Sequence, residues 1–496
     1  MEVPDRDICY RALQSRDSRF DGLLFVGVTS TGIYCRPVCP ARTPKLEHCR
    51  FFGSAAAAQE TGFRPCLRCR PETAPDVASW RGTSNTVSRA LALIAEGALD
   101  GDATVEGVAE RLGVGERQLR RLFLQHLGAS PSAVAQTRRV LFAKHLIHET
   151  RMPMTDVAMA AGFGSLRRFN EVFQNLFHRP PSALRRKTSA NAAASETGVM
   201  LRLRYRTPYD WESILDFLRI RAIPGVEVVE NGIYQRTVEM EGVTGTIEVA
   251  HLPQRQSLGV TIHFPNVRLL PSIVARVRRL FDIGADIETI GAHLARDPLL
   301  ARLVAERPGL RAPGGWDGFE LAVRAILGQQ VSVAAARRLA AQLVAAHGRP
   351  VSTDYARHPG LSYVFPTAAA LSSAESLGIA MPAARQSSLK ALAEAAAADP
   401  NLFRPASTMD QAIARLRTIR GVGEWTAQYI ALRALRETDA FPASDLGLLR
   451  GAAAMDQALS TSSNLLNRAE SWRPWRAYAA QHLWVADSTG IRTAHA

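Results

Sequence analysis

"LRTIRGVGEWTAQYIALRAL", Leu416 to Leu435, carries the turn Arg420-Gly421-Val422-Gly423 directly ahead of a helical segment. Glycines in such a turn let backbone N–H groups approach a phosphate at the N-terminus of the following helix, the signature of a helix-hairpin-helix. The G-x-G of Gly421 and Gly423 is a weak signal alone. About twenty residues on, "FPASDLGLLRG" sets one acid, Asp445, in an apolar context. Two readings of Asp445 stand side by side: the N-cap of a helix over "LGLLRG", or a carboxylate with chemistry to perform. After about residue 272 the apolar spacing is helical to the end, whereas residues 200 to 270 alternate apolar and polar, as in "GVTGTIEVAHL" and "LGVTIHF", and predict strands.

Composition marks the borders upstream. "RRKTSANAAASETG" (185–198) has small and polar residues without periodicity and reads as a linker, while the Pro- and Ser-rich "RPETAPDVASWRGTS" (70–84) closes off a cysteine-bearing region. At 496 residues the chain exceeds one core, and the fold class it predicts is multidomain α+β. The expected order is a small metal domain over 1–78, an all-α domain over 82–187, a linker over 188–199, a small α/β subdomain over 200–271 and an all-α helix-hairpin-helix domain over 272–496. No apolar run has the length of a membrane span, and "MEVPDRDICY" is no signal peptide, so a cytoplasmic protein without a membrane partner is expected. In that reducing compartment six cysteines read as metal or catalytic thiols and not as disulfides. The net charge of +14, most of it in the first 187 residues, favours nucleic acid as partner.

Residues 104 to 127, "TVEGVAERLGVGERQLRRLFLQHL", predict a helix capped by Thr104, a turn at Gly113 and a second helix presenting Arg117, Arg120 and Arg121. Residues 155 to 178, "TDVAMAAGFGSLRRFNEVFQNLFH", repeat the pattern, with Thr155 as cap, a turn at "AAGF", and Arg167 and Arg168 on a helix begun by Ser165. Two recognition helices in successive major grooves is one interpretation; a helical bundle with solvated arginines is the other. Cys35, Cys39, Cys66 and Cys69 form a C-x3-C and C-x2-C set suited to tetrahedral zinc, with Arg36, Arg42, Arg64, Arg68 and Arg70 crowded about it. A four-ligand zinc is usually structural. Zinc also keeps cysteine as thiolate, its nucleophilic form, and methylating one sulfur would relieve the site's excess negative charge.

The "AGFGSLRRFNEVFQNLFHRPPSALRR" stretch resembles the AraC-type DNA-binding domain, which implies a sequence-specific transcriptional regulator reading promoter sites and engaging the transcription machinery. "DGLLFVGVTSTGIYCRPVCPARTPKLEHCRFFGSAAAAQETGFRPCLRCRP" resembles the N-terminal domain of the Ada adaptive-response family. That resemblance implies zinc on Cys35, Cys39, Cys66 and Cys69, with Cys35 accepting a methyl irreversibly from a DNA methylphosphotriester and Thr31, Arg42 and Arg64 on the DNA backbone. Pro40 stands where that family carries an Arg. Loss of a thiolate charge would lower repulsion from phosphates, a physical basis for switching on activation. No cysteine follows Cys69, so the second methyltransferase module of that family is not expected.

Hairpin followed by aspartate is the pattern of the HhH-GPD glycosylases. Residues 200 to 490 resemble the AlkA family, 3-methyladenine DNA glycosylase II, through "YDWESILDFL", "GFELAVRAILGQQVSV", "RGVGEWTAQYIALRAL" and "SWRPWRAYAAQHLW". The resemblance implies hydrolytic excision of alkylated bases from double-stranded DNA, with Asp445 ionised and supporting a positively charged sugar. A base pocket of Phe217, Trp425, Tyr429 and Trp484 would bind cationic purines by cation-π attraction. Trp425 replaces the lysine nucleophile of lyase-competent relatives, so no lyase activity is expected. Gln330 replaces the wedge leucine and Leu446 an aromatic beside the acid. The competing account is a DNA-binding regulator with structural zinc and a catalytically inactive glycosylase-like half.

Overall fold

Four short strands build the cysteine region. Phe25–Val28 lies between Cys49–Phe52 and Ile33–Cys35, both antiparallel to it, and Arg64–Pro65 joins the far edge parallel to Ile33–Cys35. The parallel register pairs Ile33 with Arg64 and Tyr34 with Pro65, so Cys35 and Cys66 leave the ladder side by side, and the Cys66 N–H donates to the Tyr34 carbonyl at 3.0 Å. Neighbouring strands are about 4.8 Å apart, so this register by itself brings two of the four sulfurs together. The computed structural model describes residues 5–75, 85–101, 103–185, 198–352, 354–355, 357–404 and 408–493; residues 188–197 of the expected linker and 76–84 of the expected border lie outside these.

The chain divides into two units, one of residues 1–205 with 252–275, the other of residues 206–251 with 276–496. In the first, two matched helical hairpins follow the cysteine region. Val105–Arg111 and Glu116–Leu127 are joined through Gly113 at φ +66°, and Met154–Ala160 and Leu166–Phe177 through Gly162 at φ +82°. The second helix of each buries one stripe at i, i+4 and i+8: Leu119, Phe123 and Leu127, then Phe169, Phe173 and Phe177. Both helices end on a left-handed residue, Gly128 and His178. Thr104 caps as expected, accepting from the Gly107 N–H at 3.1 Å. Thr155 does not: Pro153, which has no side-chain donor or acceptor, holds the cap position and Thr155 lies inside the helix. The proline fixes the backbone angle at that end but offers no acceptor, so the first N–H groups of this helix have no side-chain cap.

The 19-residue helix Pro131–Glu149 ties the hairpins to the cysteine region. Its Lys144, fully buried, donates to the Cys66 carbonyl at 2.8 Å and to Glu72 Oε2 at 2.6 Å, while Arg70 bonds Glu149 at 2.7 Å. Burial pushes the Glu72 carboxyl up, but Lys144, His148 and Arg70 outweigh it and hold Glu72 well below the usual carboxylate range. The strands Val199–Arg204 and Ser257–His263 of this unit pair antiparallel.

In the second unit Glu227–Glu230, Ile233–Met240 and Val243–Leu252 form an antiparallel meander, Arg349–Pro350 and Tyr363–Val364 make a short second antiparallel pair, and the other regular elements are helices. Helix Gly318–Leu327 is its central post, buried along almost its whole length. Buried charge fixes that post to the strands: Arg236 donates to Glu320 at 2.8 Å, and Arg324 bridges Glu320 at 2.7 Å and Glu227 at 2.5 Å. Burial pushes Glu320 up, but Arg236 and Arg324 prevail and hold it at about 2. The mixed α+β class expected from the sequence is the class observed. Among the described residues no helix is long and apolar enough to cross a membrane.

Candidate functional site

Cys35, Cys39, Cys66 and Cys69 place their four sulfurs within 4.8 Å of one another. Four thiolates at that separation require a cation, and an all-sulfur tetrahedral set fits zinc. Bound there, zinc would hold all four as thiolates. Cys39, Cys66 and Cys69 are buried, whereas Cys35 is only half-buried. The five nearby arginines divide. Arg36 is buried against Asp21 and donates to the Cys69 carbonyl at 3.0 Å and to Thr73 at 2.8 Å; Arg70 reaches Glu72 at 3.1 Å as well as Glu149. These two hold the fold. Arg42 and Arg68 are exposed and Arg64 is half-buried, with Thr31 and Pro40 also at the surface. Arg117, Arg120, Arg121, Arg167 and Arg168 are exposed on the second helices of the two hairpins, where Arg120 pairs with Glu116 and Arg167 with Glu171 at 2.9 Å.

The hairpin of the second unit is Met409–Arg417, a turn, and Glu424–Arg433. Gly421 sits at φ +82°, where a Cβ would run into Ser388, and Gly423 is the cap of the second helix with no side chain to engage its first N–H groups. A helix start without a side-chain cap has N–H donors that can receive an anion. Asp445 caps the helix Leu446–Ala453, its Oδ1 accepting from the N–H groups of Gly447 at 2.9 Å and Leu448 at 3.0 Å. The Trp484 indole N–H also donates to Oδ1 at 2.8 Å, and the Trp425 indole N–H donates to Oδ2 at 2.8 Å. Oδ1 is thereby saturated by three donors and the carboxylate plane is fixed. Oδ2, with one donor, keeps accepting capacity. Leu446, next in the chain, is 71% exposed.

Trp425 stacks on Tyr429 (centroids 5.4 Å, 15°), and Tyr429 meets Trp484 edge-on (6.3 Å, 74°). Phe217 joins them through a residue the sequence reading missed. The buried Arg433 guanidinium lies 4.7 Å from the Phe217 ring centre, 4.9 Å from Trp484 and 5.9 Å from Tyr429, anchored to the Pro313 carbonyl and Gln481 Oε1, each at 2.8 Å. Arg221 covers Phe217 at 4.0 Å. Burial pushes Arg433 down to about 10. The four rings expected to make a pocket are therefore together, but three of them already have Arg433 against them, and Phe217 has Arg221 as well. The spacing was available: Trp425, Tyr429 and Arg433 recur at i, i+4 and i+8 on one helix face. Gln330 is exposed at φ +57° in the loop after helix Gly318–Leu327. A cavity of about 620 Å³, lined in part by Asp210, Arg307 and His482, lies elsewhere in the unit and shares no residue with the Asp445 cluster.

A four-thiol centre docked on paired helix-turn-helix units, with a helix-hairpin-helix ahead of a clamped aspartate, defines a class of nucleic-acid-directed, two-part proteins. Family models match in that order: the metal binding domain of Ada over residues 8–72, a helix-turn-helix domain over 108–187 and the AlkA N-terminal domain over 200–317. The chain is 43% identical over 97% of its length, and 96% of the relative's, to the probable bifunctional transcriptional activator/DNA repair enzyme AlkA of Mycobacterium tuberculosis. It is 33% identical, over 58% of its length and 98% of the relative's, to the DNA-3-methyladenine glycosylase 2 of Escherichia coli. The 3-methyladenine DNA-glycosylase structure from Archaeoglobus fulgidus superimposes with a TM-score of 0.51 at 23% identity, over 58% of this chain and 98% of that one, a likeness of fold. The chain belongs to the family of bifunctional Ada- and AlkA-type transcriptional activator/DNA repair enzymes.

Proposed function

We propose that this chain both excises alkylated bases such as 3-methyladenine from double-stranded DNA and records methylphosphotriesters on Cys35, acting as a transcriptional activator once methylated. What carries the first half is the clamp on Asp445: two indole N–H groups and two helix-cap N–H groups fix one carboxylate beside four partly exposed rings. The hairpin N–H groups of the Gly421 to Gly423 turn grip a backbone phosphate, and the damaged nucleotide swings out toward the rings. As the glycosidic bond breaks the base takes the bonding pair, so a cationic purine departs neutral. Asp445 Oδ2 faces the positive charge left on the sugar and orients the water whose oxygen bonds to the sugar carbon, its proton passing to solvent. Arg433 lies against three of the rings, so a base stacks on what they leave exposed. Trp425 supplies no amine, and the product is an abasic site without strand cleavage.

For the second half, Cys35 is the one residue of the four that is not fully buried. Its sulfur bonds to the methyl carbon as the methyl–oxygen bond of the phosphotriester breaks, and the restored phosphodiester keeps the pair and its negative charge. The thioether is not reversed, so each chain reacts once. In this reading the working parts span 1–78, 82–187, 200–271 and 272–496, with Thr31, Arg42 and Arg64 on the DNA backbone, the hairpin arginines on promoter grooves, and the transcription machinery engaged from a cytoplasmic location. Incubation with a duplex containing 3-methyladenine tests the enzymatic half: the native chain releases free base and leaves abasic sites, and equal release by Asp445→Asn would overturn the assignment.

A further inference from the structure

Gln329 sits between two loops that the chain separates by almost a hundred residues. Its Nε2 donates to the Gly421 carbonyl in the hairpin turn and to Thr426 Oγ1 in the helix that follows, both at 3.0 Å. The carboxamide has two N–H donors and meets two acceptors, a match that Glu, of the same shape, could not make. Thr426 is buried and Gly421 is held left-handed, so the hairpin end of this bridge is rigid. On the other side of Gln329 the chain turns outward. Gln330 follows at φ +57°, a conformation a non-glycine residue takes only under constraint, and Val331 and Val333 are exposed apolar side chains at the tip. An amide flanked by bare valines suits a duplex interior, where a wedge needs apolar surface and hydrogen-bonding edges.

We infer that Gln329 is a positioning residue: it locks the Gln330–Val333 tip to the phosphate-gripping turn, so that the backbone is held and the base stack is entered by one rigid body. The inference rests on the proposed glycosylase reading. If the bridge sets the wedge, its loss impairs excision only where a base must be driven out of a paired stack. A lesion in single-stranded DNA, or opposite an abasic site, needs little or no such work.

The test measures kcat/KM for 3-methyladenine release by the full chain on paired duplex, on the same lesion opposite an abasic site, and on a single strand. Gln329→Ala and Thr426→Val are expected to lose about tenfold on the paired duplex, the worth of one or two bridging hydrogen bonds, and to match the native chain on the unpaired substrates. The double variant loses no more than the worse single one. Gln329→Met, of similar length but uncharged and without donors, behaves as Gln329→Ala and guards against a packing effect. Equal losses on paired and unpaired substrates, or native rates on both, would overturn the bridge. If the native chain released no base from any substrate, the glycosylase reading itself would fail, a distinct result.

Discussion

Asp445 meets two demands with its two oxygens. Oδ1 caps a helix and takes the Trp484 indole; Oδ2 takes one indole and stays open. The cap is observed and the catalytic role is proposed; the two are compatible because the cap bonds fix Oδ1 and leave Oδ2 open. Trp484→Phe keeps an aromatic side chain but removes the indole N–H, and the expected loss in base release is about tenfold. His482, two residues away on the same helix, turns to the opposite side and is 6% exposed. Burial, with Arg307 nearby, pushes its imidazole down to about 4 from 6.5. The unfolded chain therefore binds a proton that the fold refuses. This contribution is complete above pH 6.5 and falls away as pH drops toward 4, by about 3 kcal/mol at most. Thermal melts followed by tryptophan fluorescence should show the decline between about pH 7 and about pH 5, and His482→Gln should flatten it.

Among the elements, helix Pro131–Glu149 and the cysteine loops depend on one buried ion pair. Lys144→Met leaves Glu72 buried without its principal cation, and the expected cost is about 3–5 kcal/mol. Zinc should be lost to a chelator faster from that variant, read by release into a colorimetric indicator. In the hairpin, Gly421→Ala forces a Cβ toward Ser388 at a left-handed position, and weaker binding to undamaged duplex is expected by fluorescence anisotropy. Elements of this kind were legible where local rules decide them. The hairpin glycines, the capping Thr104 and Ser165, and the i, i+4, i+8 stripes all depend on residues within two or three turns of one another. Thr155 was misread because a proline at 153 outranked it. Lys144 with Glu72, Gln329 with Gly421, and Arg433 with Phe217 are partnerships set by tertiary docking, and no local period announces them.

At the scale of the whole molecule, the cysteine set was readable from its spacing and the aromatic cluster only from resemblance. Neither pattern reveals that two of the five arginines near the thiols serve the fold, and the helical spacing that sets Arg433 beside Trp425 and Tyr429 does not bring in Phe217 or Trp484. The two proposed chemistries have different arithmetic: a thiolate consumed once and a carboxylate that turns over. Stripping zinc with a chelator should abolish the first and leave base release unchanged, since the four thiols and Asp445 belong to separate units. The most direct test is a single time course of the full chain on methylated duplex, following free base and the mass of the cysteine peptides together. The expected result is one methyl per chain, on Cys35 and not on Cys39, Cys66 or Cys69, reaching a plateau while free base continues to accumulate beyond one equivalent. An unmodified Cys35 peptide, or base release that stops with the first equivalent, would contradict it.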